Sequence, residues 1–231
     1  MDYDYKDREV NHDFSFLNFT DVQAHFADLN ISLLRGRHVQ TGEGYIFTLV
    51  NNYVSEFTFY YRSLYGLDLK REKSENIEYY YLDFPEEGKG KLYSSDRHRE
   101  MSAWDSLIAL MLLNMYYDRL FDHTKTINRP ILENEIMNSD LAPSYKKVFF
   151  NNIIRDFYSD PEWKTAMDHY KRALRTLDQL GWVKLLPAGE GDGDILFIIR
   201  ESINRFANLY HYEISHFDTF VEQIMQKKNK K

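Results

Sequence analysis

The twelve residues between Asp105 and Asp118 carry no charge, and they sit inside a longer stretch that would be apolar on nearly every side of a helix. Over residues 99–122, Met101, Trp104, Leu107, Ile108, Leu110 to Leu113, Met115 and Tyr116 leave almost no polar face. A helix of that kind belongs at the centre of a core, because every side of it must be kept from water. The uncharged run is shorter than the roughly 18 residues a membrane span needs. No membrane is expected, and the rest of the chain must pack around this helix.

The segments on either side fall into the same order twice. Upstream, Thr20 and Asp21 can cap a helix over residues 20–34, with Val22, Phe26, Leu29 and Leu33 on one face and Gly36 as its stop. A second helix is predicted over residues 42–65, where Ile46, Leu49, Val50, Tyr53, Phe57, Tyr60, Tyr61 and Leu64 recur at spacings of three and four. Gly66 ends it, and residues 67–71 and 77–84 read as strands joined by a polar turn over residues 72–76. The Tyr79-Tyr80-Tyr81 run suits a pleated surface.

Downstream of the central helix, Asn128 and Pro130 mark the start of a helix over residues 129–138, and residues 143–158 read as another. Asp160-Pro161-Glu162 opens a third, capped by Asp160, with Trp163, Met167, Tyr170, Leu174 and Leu177 on one face. At Leu180-Gly181-Trp182-Val183 this helix gives way to a hairpin, residues 182–186 and 195–199, around the acidic loop 188–194. A final helix runs from residue 201 into the 220s, before a Lys-rich tail at Lys227, Lys228, Lys230 and Lys231.

Helix, helix, hairpin is the order of a winged-helix unit. The expected class is therefore α+β, mainly helical, with tandem winged-helix units and two β-hairpin wings. The organisation follows: an acidic, flexible arm at residues 1–18, a first unit at 19–90, a second at 91–200, and a C-terminal helix and tail at 201–231. No close sequence repeat relates the two halves, so the duplication is one of architecture.

Composition narrows the chemistry. There is no cysteine, which removes disulfides, thiolate nucleophiles and Cys-based zinc sites together and points to a reducing, cytoplasmic setting. The N-terminus lacks the basic and apolar regions of a signal peptide. Net charge is −7, but seven acids against two bases up to Asn30 account for −5, leaving −2 for the remainder. An autonomous DNA-binding domain is usually basic, so tight binding by this chain alone is not expected. The 18 Tyr and 16 Phe residues fit either an aromatic core or half-wet contact surfaces.

Catalytic and metal motifs do not assemble. His211 and His216 stand five apart, not the four that sets a zinc-binding pair on one helix face, so solvated histidines explain them better. The loop Gly189-Glu190-Gly191-Asp192-Gly193 is acidic and leads into a strand, whereas a phosphate loop is followed by Lys-Ser/Thr opening a helix. There is no nucleophile elbow. No enzyme, metal or cofactor is expected.

Two basic surfaces stand out. Lys164, Lys171, Arg172 and Arg175 share the polar face of the 160–180 helix, the element that lies along a DNA groove in many winged helices. Arg35, Arg37 and His38 form a short basic link. Either set reads as a DNA contact or as an ordinary solvated surface.

The chain resembles the MukE/MksE-type KITE subunits of bacterial condensin-like SMC complexes. The residues that carry the resemblance are Leu33 to Gln40, Tyr60 to Gly66 and Tyr79 to Phe84 in the first half. In the second half they are Leu112 to Tyr117, Leu177 to Val183 and Phe197 to Phe206. The resemblance implies a non-catalytic, nucleoid-associated homodimer of tandem winged helices. Its implied partners are a kleisin of the MukF/MksF kind and an SMC ATPase like MukB/MksB, with weak, non-specific DNA contact inside the complex. Chromosome partition, chromosome condensation and plasmid defence are the processes it implies. A stand-alone winged-helix transcription regulator would also explain the hairpins and the basic helix face, but fits net acidity and two units poorly. A phage or secretion scaffold stays open because winged helices are widely reused.

Overall fold

The computed structural model describes residues 13–86, 88, 91, 101–190 and 193–228. The chain is α+β and mainly helical, and it divides into two compact units, Met1–Glu100 and Met101–Lys231.

In the first unit, α1 (Thr20–Leu34), α2 (Tyr45–Asn52) and α3 (Val54–Tyr65) pack with β1 (Val39–Gln40), β2 (Asp68–Ser74) and β3 (Ile77–Asp83). The strands form an antiparallel sheet in the order β1-β3-β2. Val22, Leu29 and Leu33 of α1 meet Leu49 and Val50 of α2, Phe57, Tyr60 and Tyr61 of α3, and Tyr80 of β3 in one core. Gly66, at φ 66°, supplies the left-handed residue that ends α3.

Two features of this unit differ from expectation. The helix predicted over residues 42–65 is two helices, broken at Tyr53 (φ −123°, ψ 35°). The break aims the Tyr53 phenol at α1, where it donates to Asp21 at 2.9 Å. The hairpin turn is also tighter than predicted. Ser74 pairs with Ile77, so only Glu75, at φ 54°, and Asn76 make the turn. Glu72 stays in the strand because its carboxylate accepts from the hydroxyls of Tyr79 (2.7 Å) and Tyr81 (2.5 Å) across the ladder.

The second unit is built around α4 (Ala103–Asp118), as its all-round apolarity requires. Every residue from Ser106 to Leu113 is buried, and Leu110 and Leu113 are 0% exposed. Ser102 caps it by accepting from the Asp105 amide at 3.0 Å. Around it stand α5 (Arg129–Asn138), α6 (Ala142–Phe149) and α7 (Asp160–Gln179), with β4 (Thr126–Asn128), β5 (Val183–Leu185) and β6 (Leu196–Ile199) in an antiparallel sheet ordered β4-β6-β5.

Helix α5 begins as its sequence predicts, with the Asn128 carboxamide accepting from the Ile131 amide at 3.1 Å. Helix α6 is shorter than the predicted 143–158 segment. Asn151 (φ 53°) and Asn152 (φ 71°) turn the chain left-handed, a conformation asparagine tolerates better than most residues. The cap of α7 is Ser159, not Asp160: Glu162 reaches back to accept from the Ser159 amide and hydroxyl, both at 2.8 Å. The final predicted helix is a 3-10 turn (Glu201–Asn204) followed by α8 (Arg205–Leu209), α9 (His211–Ser215) and α10 (Phe217–Lys228), with breaks at Tyr210 and His216. Of the acidic, flexible arm expected over residues 1–18, residues 1–12 lie outside the described residues, as do Lys230 and Lys231. Its last part is instead ordered, a 3-10 turn at Ser15–Asn18 whose Phe16 ring is buried in the first core.

Candidate nucleic-acid interface

Helix α7 is amphipathic in the way its spacing dictates. Ala166, Met167, Tyr170, Ala173, Leu174 and Leu177 are buried. At about 100° per residue, Lys164, Lys171 and Arg175 fall within about 40° of one another on one flank of the polar face. Arg172 stands about 60° round from Arg175, and Asp168 and Asp178 flank the stripe.

The four cations are not equivalent. Lys164 and Arg175 are exposed and have no ion-pair or hydrogen-bond partner among the described residues. The Arg172 guanidinium folds back on its own helix, its Nε donating to the Asp168 carbonyl at 3.3 Å and an Nη lying 3.2 Å from His169 Nδ1. The Lys171 ammonium is held by the Asp194 carboxylate.

Asp194 also accepts from Arg129 at 3.3 Å, and Arg129 Nε donates to Glu133 at 2.6 Å. Two bases and two acids thus form a neutral network at one end of the hairpin. The hydrogen bond from Lys171, followed by the attraction of that charge and of Arg129, holds the Asp194 carboxyl below its ordinary value. Its partner Arg129 is shifted upward, chiefly by its bond to Glu133.

Backbone geometry brings this network together. The β4–β6 register sets Asn128 opposite Leu196, which carries Arg129 to the loop that ends at Asp194. Gly193 has φ 71°, and a Cβ there would lie 3.0 Å from the Arg129 Cβ and Cδ. Glycine suits the left-handed conformation without strain, and a Cβ would crowd the Arg129 side chain by a few tenths of an ångström. Sequence reasoning had no signal for this pairing, because Arg129 and Asp194 are 65 residues apart and each has an ordinary local role, one in a helix start and one in a turn.

The basic link of the first unit is placed differently. Arg35 is exposed just past the end of α1. Arg37 makes a two-point bond to Glu43, at 2.8 Å and 3.2 Å. His38 is only 2% exposed, and its ring stacks on Tyr81 with centroids 4.9 Å apart. Of the three, Arg35 is the one that presents its charge openly to solvent.

His211 is exposed at the start of α9, while the His216 ring stacks on Tyr212, with Nδ1 3.0 Å from the Tyr212 carbonyl. Among the described residues, no cluster of His, Cys, Asp and Glu is arranged to hold a metal. No helix among them is long and apolar enough to cross a membrane. What the surface offers chemically is positive charge along α7, partly cancelled from within. A family model described as condensin complex protein MksE matches residues 24–211, which runs through both units. No curated protein matches the chain.

Proposed function

Since the chain belongs to the family of condensin complex protein MksE, we propose that it is the non-catalytic KITE subunit of a MukBEF- or MksBEF-like SMC complex. In this reading each unit is a winged helix, and the chain works as a cytoplasmic, nucleoid-associated homodimer. It binds a kleisin of the MukF/MksF kind and acts beside an SMC ATPase of the MukB/MksB kind. The complex organises DNA in chromosome segregation or in plasmid restriction. The observation that carries the reading is the length of the family match, which reaches from α1 almost to the C-terminal helix.

Direct contact with DNA, in this proposal, is made by Lys164, Lys171 and Arg175 of α7, with Arg172 beside them; Arg35, in the first unit, is a separate candidate contact. Affinity from such contacts comes from counterion release and falls steeply with salt. With a net charge of −7 on the chain, the stripe is too weak to act alone. Inside a complex that already holds DNA, high effective concentration makes a weak contact count.

The test is co-purification of the full chain with the kleisin and SMC protein encoded beside it. A stable assembly, in which this chain contributes no ATP hydrolysis, is the expected result. No association between folded partners would overturn the reading. Tight binding by the isolated chain to one operator sequence at physiological salt would favour a transcription regulator instead.

A further inference from the structure

We propose that Arg129 and Lys171 form a phosphate seat for the DNA backbone, and that Asp194 fills this seat from within when no DNA is bound. The inference rests on the DNA contact proposed above and adds to it both a residue, Arg129, and a built-in competitor.

The geometry resembles an occupied anion site. One carboxylate sits between two cations that come from separate elements, Lys171 on α7 and Arg129 at the start of α5. A phosphate brings the same chemistry, an anionic oxygen pair that takes charge-assisted bonds from Lys and Arg. The seat is also continuous with open positive charge. Lys164 lies seven residues before Lys171 and Arg175 four residues after it, both without partners among the described residues. From Lys164 to Arg175 the helix rises about 16 Å, the axial length of roughly five nucleotides of one strand. An extended row of cations matches a phosphodiester backbone better than a single acidic side chain.

The plug is positioned, not incidental. Gly193 lies against the stem of Arg129, and a Cβ there would press on that side chain by a few tenths of an ångström. Asp194 follows directly. The Asp194 carboxyl, held below its ordinary value by Lys171, stays ionised near neutral pH, so release needs a competing anion and not acid. The bond is nevertheless replaceable. The side chains involved are a quarter to a half exposed, at 26% for Lys171, 33% for Arg129 and 47% for Asp194, and ion pairs of that exposure are weak.

The experiment is a fluorescence-anisotropy titration of a labelled duplex of random sequence with the full chain, over about 50 to 200 mM salt. Asp194→Asn, with unchanged far-ultraviolet circular dichroism, is expected to bind roughly fivefold more tightly, since two exposed ion pairs no longer compete. Its plot of log affinity against log salt should steepen by roughly 0.9 for each cation released to a phosphate. Gly193→Ala, which strains the left-handed backbone and crowds Arg129, should move both quantities in the same direction. Asp140→Asn makes the same charge change at an exposed site away from the network and should leave the slope alone.

If Asp194→Asn and Asp140→Asn behave alike in affinity and slope while the unaltered chain binds DNA, the seat is refuted and the DNA contact stands. If neither the unaltered chain nor Asp194→Asn binds DNA, alone or within the kleisin–SMC complex, the DNA contact falls and the seat with it. If Asp194→Asn instead gains affinity for poly-glutamate and not for DNA, the seat takes an acidic protein surface and the assignment to DNA is overturned.

Discussion

The Tyr53 hydroxyl donates to the Asp21 carboxylate at 2.9 Å, joining the break between α2 and α3 to the first turn of α1 across 32 residues of sequence. The Tyr53 ring itself is 2% exposed, so only its oxygen reaches the polar edge of the unit. Tyr53→Phe removes the bond and keeps the ring. A hydrogen bond to a charged but solvent-accessible acceptor contributes about 1 kcal/mol. The expected outcome is a loss of that size in urea denaturation, with the m-value unchanged. A loss several times larger would mean that the break itself depends on the bond.

Leu110 is 0% exposed in the middle of α4. Leu110→Ala deletes buried carbon and leaves a cavity that the surrounding helices fill only in part. The expected cost is about 2–5 kcal/mol, read by chemical denaturation of the second unit. A cost below about 1 kcal/mol would mean that α4 is not the centre of that core.

Burial raises the Glu135 carboxyl, and the nearby charge of Asp118 adds to the shift. The sign follows from linkage. A carboxyl raised in the folded state is penalised when it ionises, so its cost grows as pH rises through the unfolded value of 4.5 toward the folded one. Glu135→Gln is therefore expected to raise the melting temperature at pH 7. The advantage should disappear below pH 4.5, where both states are protonated, and differential scanning calorimetry over pH would show it.

Glu162 and Asp194 have the opposite sign. Bonds from the Ser159 amide and hydroxyl lower the first, and the bond from Lys171 lowers the second. Their contribution is present above the ordinary carboxylate values of 4.5 and 3.8 and is lost as pH falls through the depressed ones. Asp194→Asn is expected to flatten the acid limb of the stability curve by lowering stability slightly at pH 7 and leaving it unchanged below the depressed value, a small effect because the ion pairs are partly exposed. An unaltered acid limb would show that Asp194 is not ion-paired in solution.

Lys164→Glu combined with Arg175→Glu reverses the two open charges of the α7 stripe. Neither side chain has a partner among the described residues, so stability should change by no more than about 0.5 kcal/mol. DNA engagement by the assembled complex should fall, and the fall should be largest at low salt. Arg172→Glu, off the stripe and folded back on its helix, should do less in the same gel-shift series.

Much of this was legible in the chain itself. The apolar periodicity of α1 and α7, the all-round apolarity of α4, the cap at Asn128 and the glycine stop at Gly66 are local signals, and the elements they mark form where they point, α4 being shorter than the expected 99–122. The breaks at Tyr53, Tyr210 and His216 were not legible, because neither glycine nor proline occurs at any of them and the apolar spacing continues through. Strands β1 and β4, at two and three residues, are too short for alternation to register. The candidate interface divides in the same way. The α7 cations are a local pattern, whereas the role of Arg129 and the neutralising role of Asp194 exist only after β4 pairs with β6.

The burial of α4 has a kinetic consequence. The amides from Leu107 to Leu113 are hydrogen-bonded inside the stretch of α4 whose every residue is buried, so local fraying gives them no route to solvent. Their hydrogen exchange can proceed only when the whole second unit opens. The slowest amides of α4 therefore read the global stability of that unit. The amides of α1 and α3, in a separate core, need not share their rate. A deuterium-labelling time course should then resolve two slow exchange classes in this one chain, one for each core.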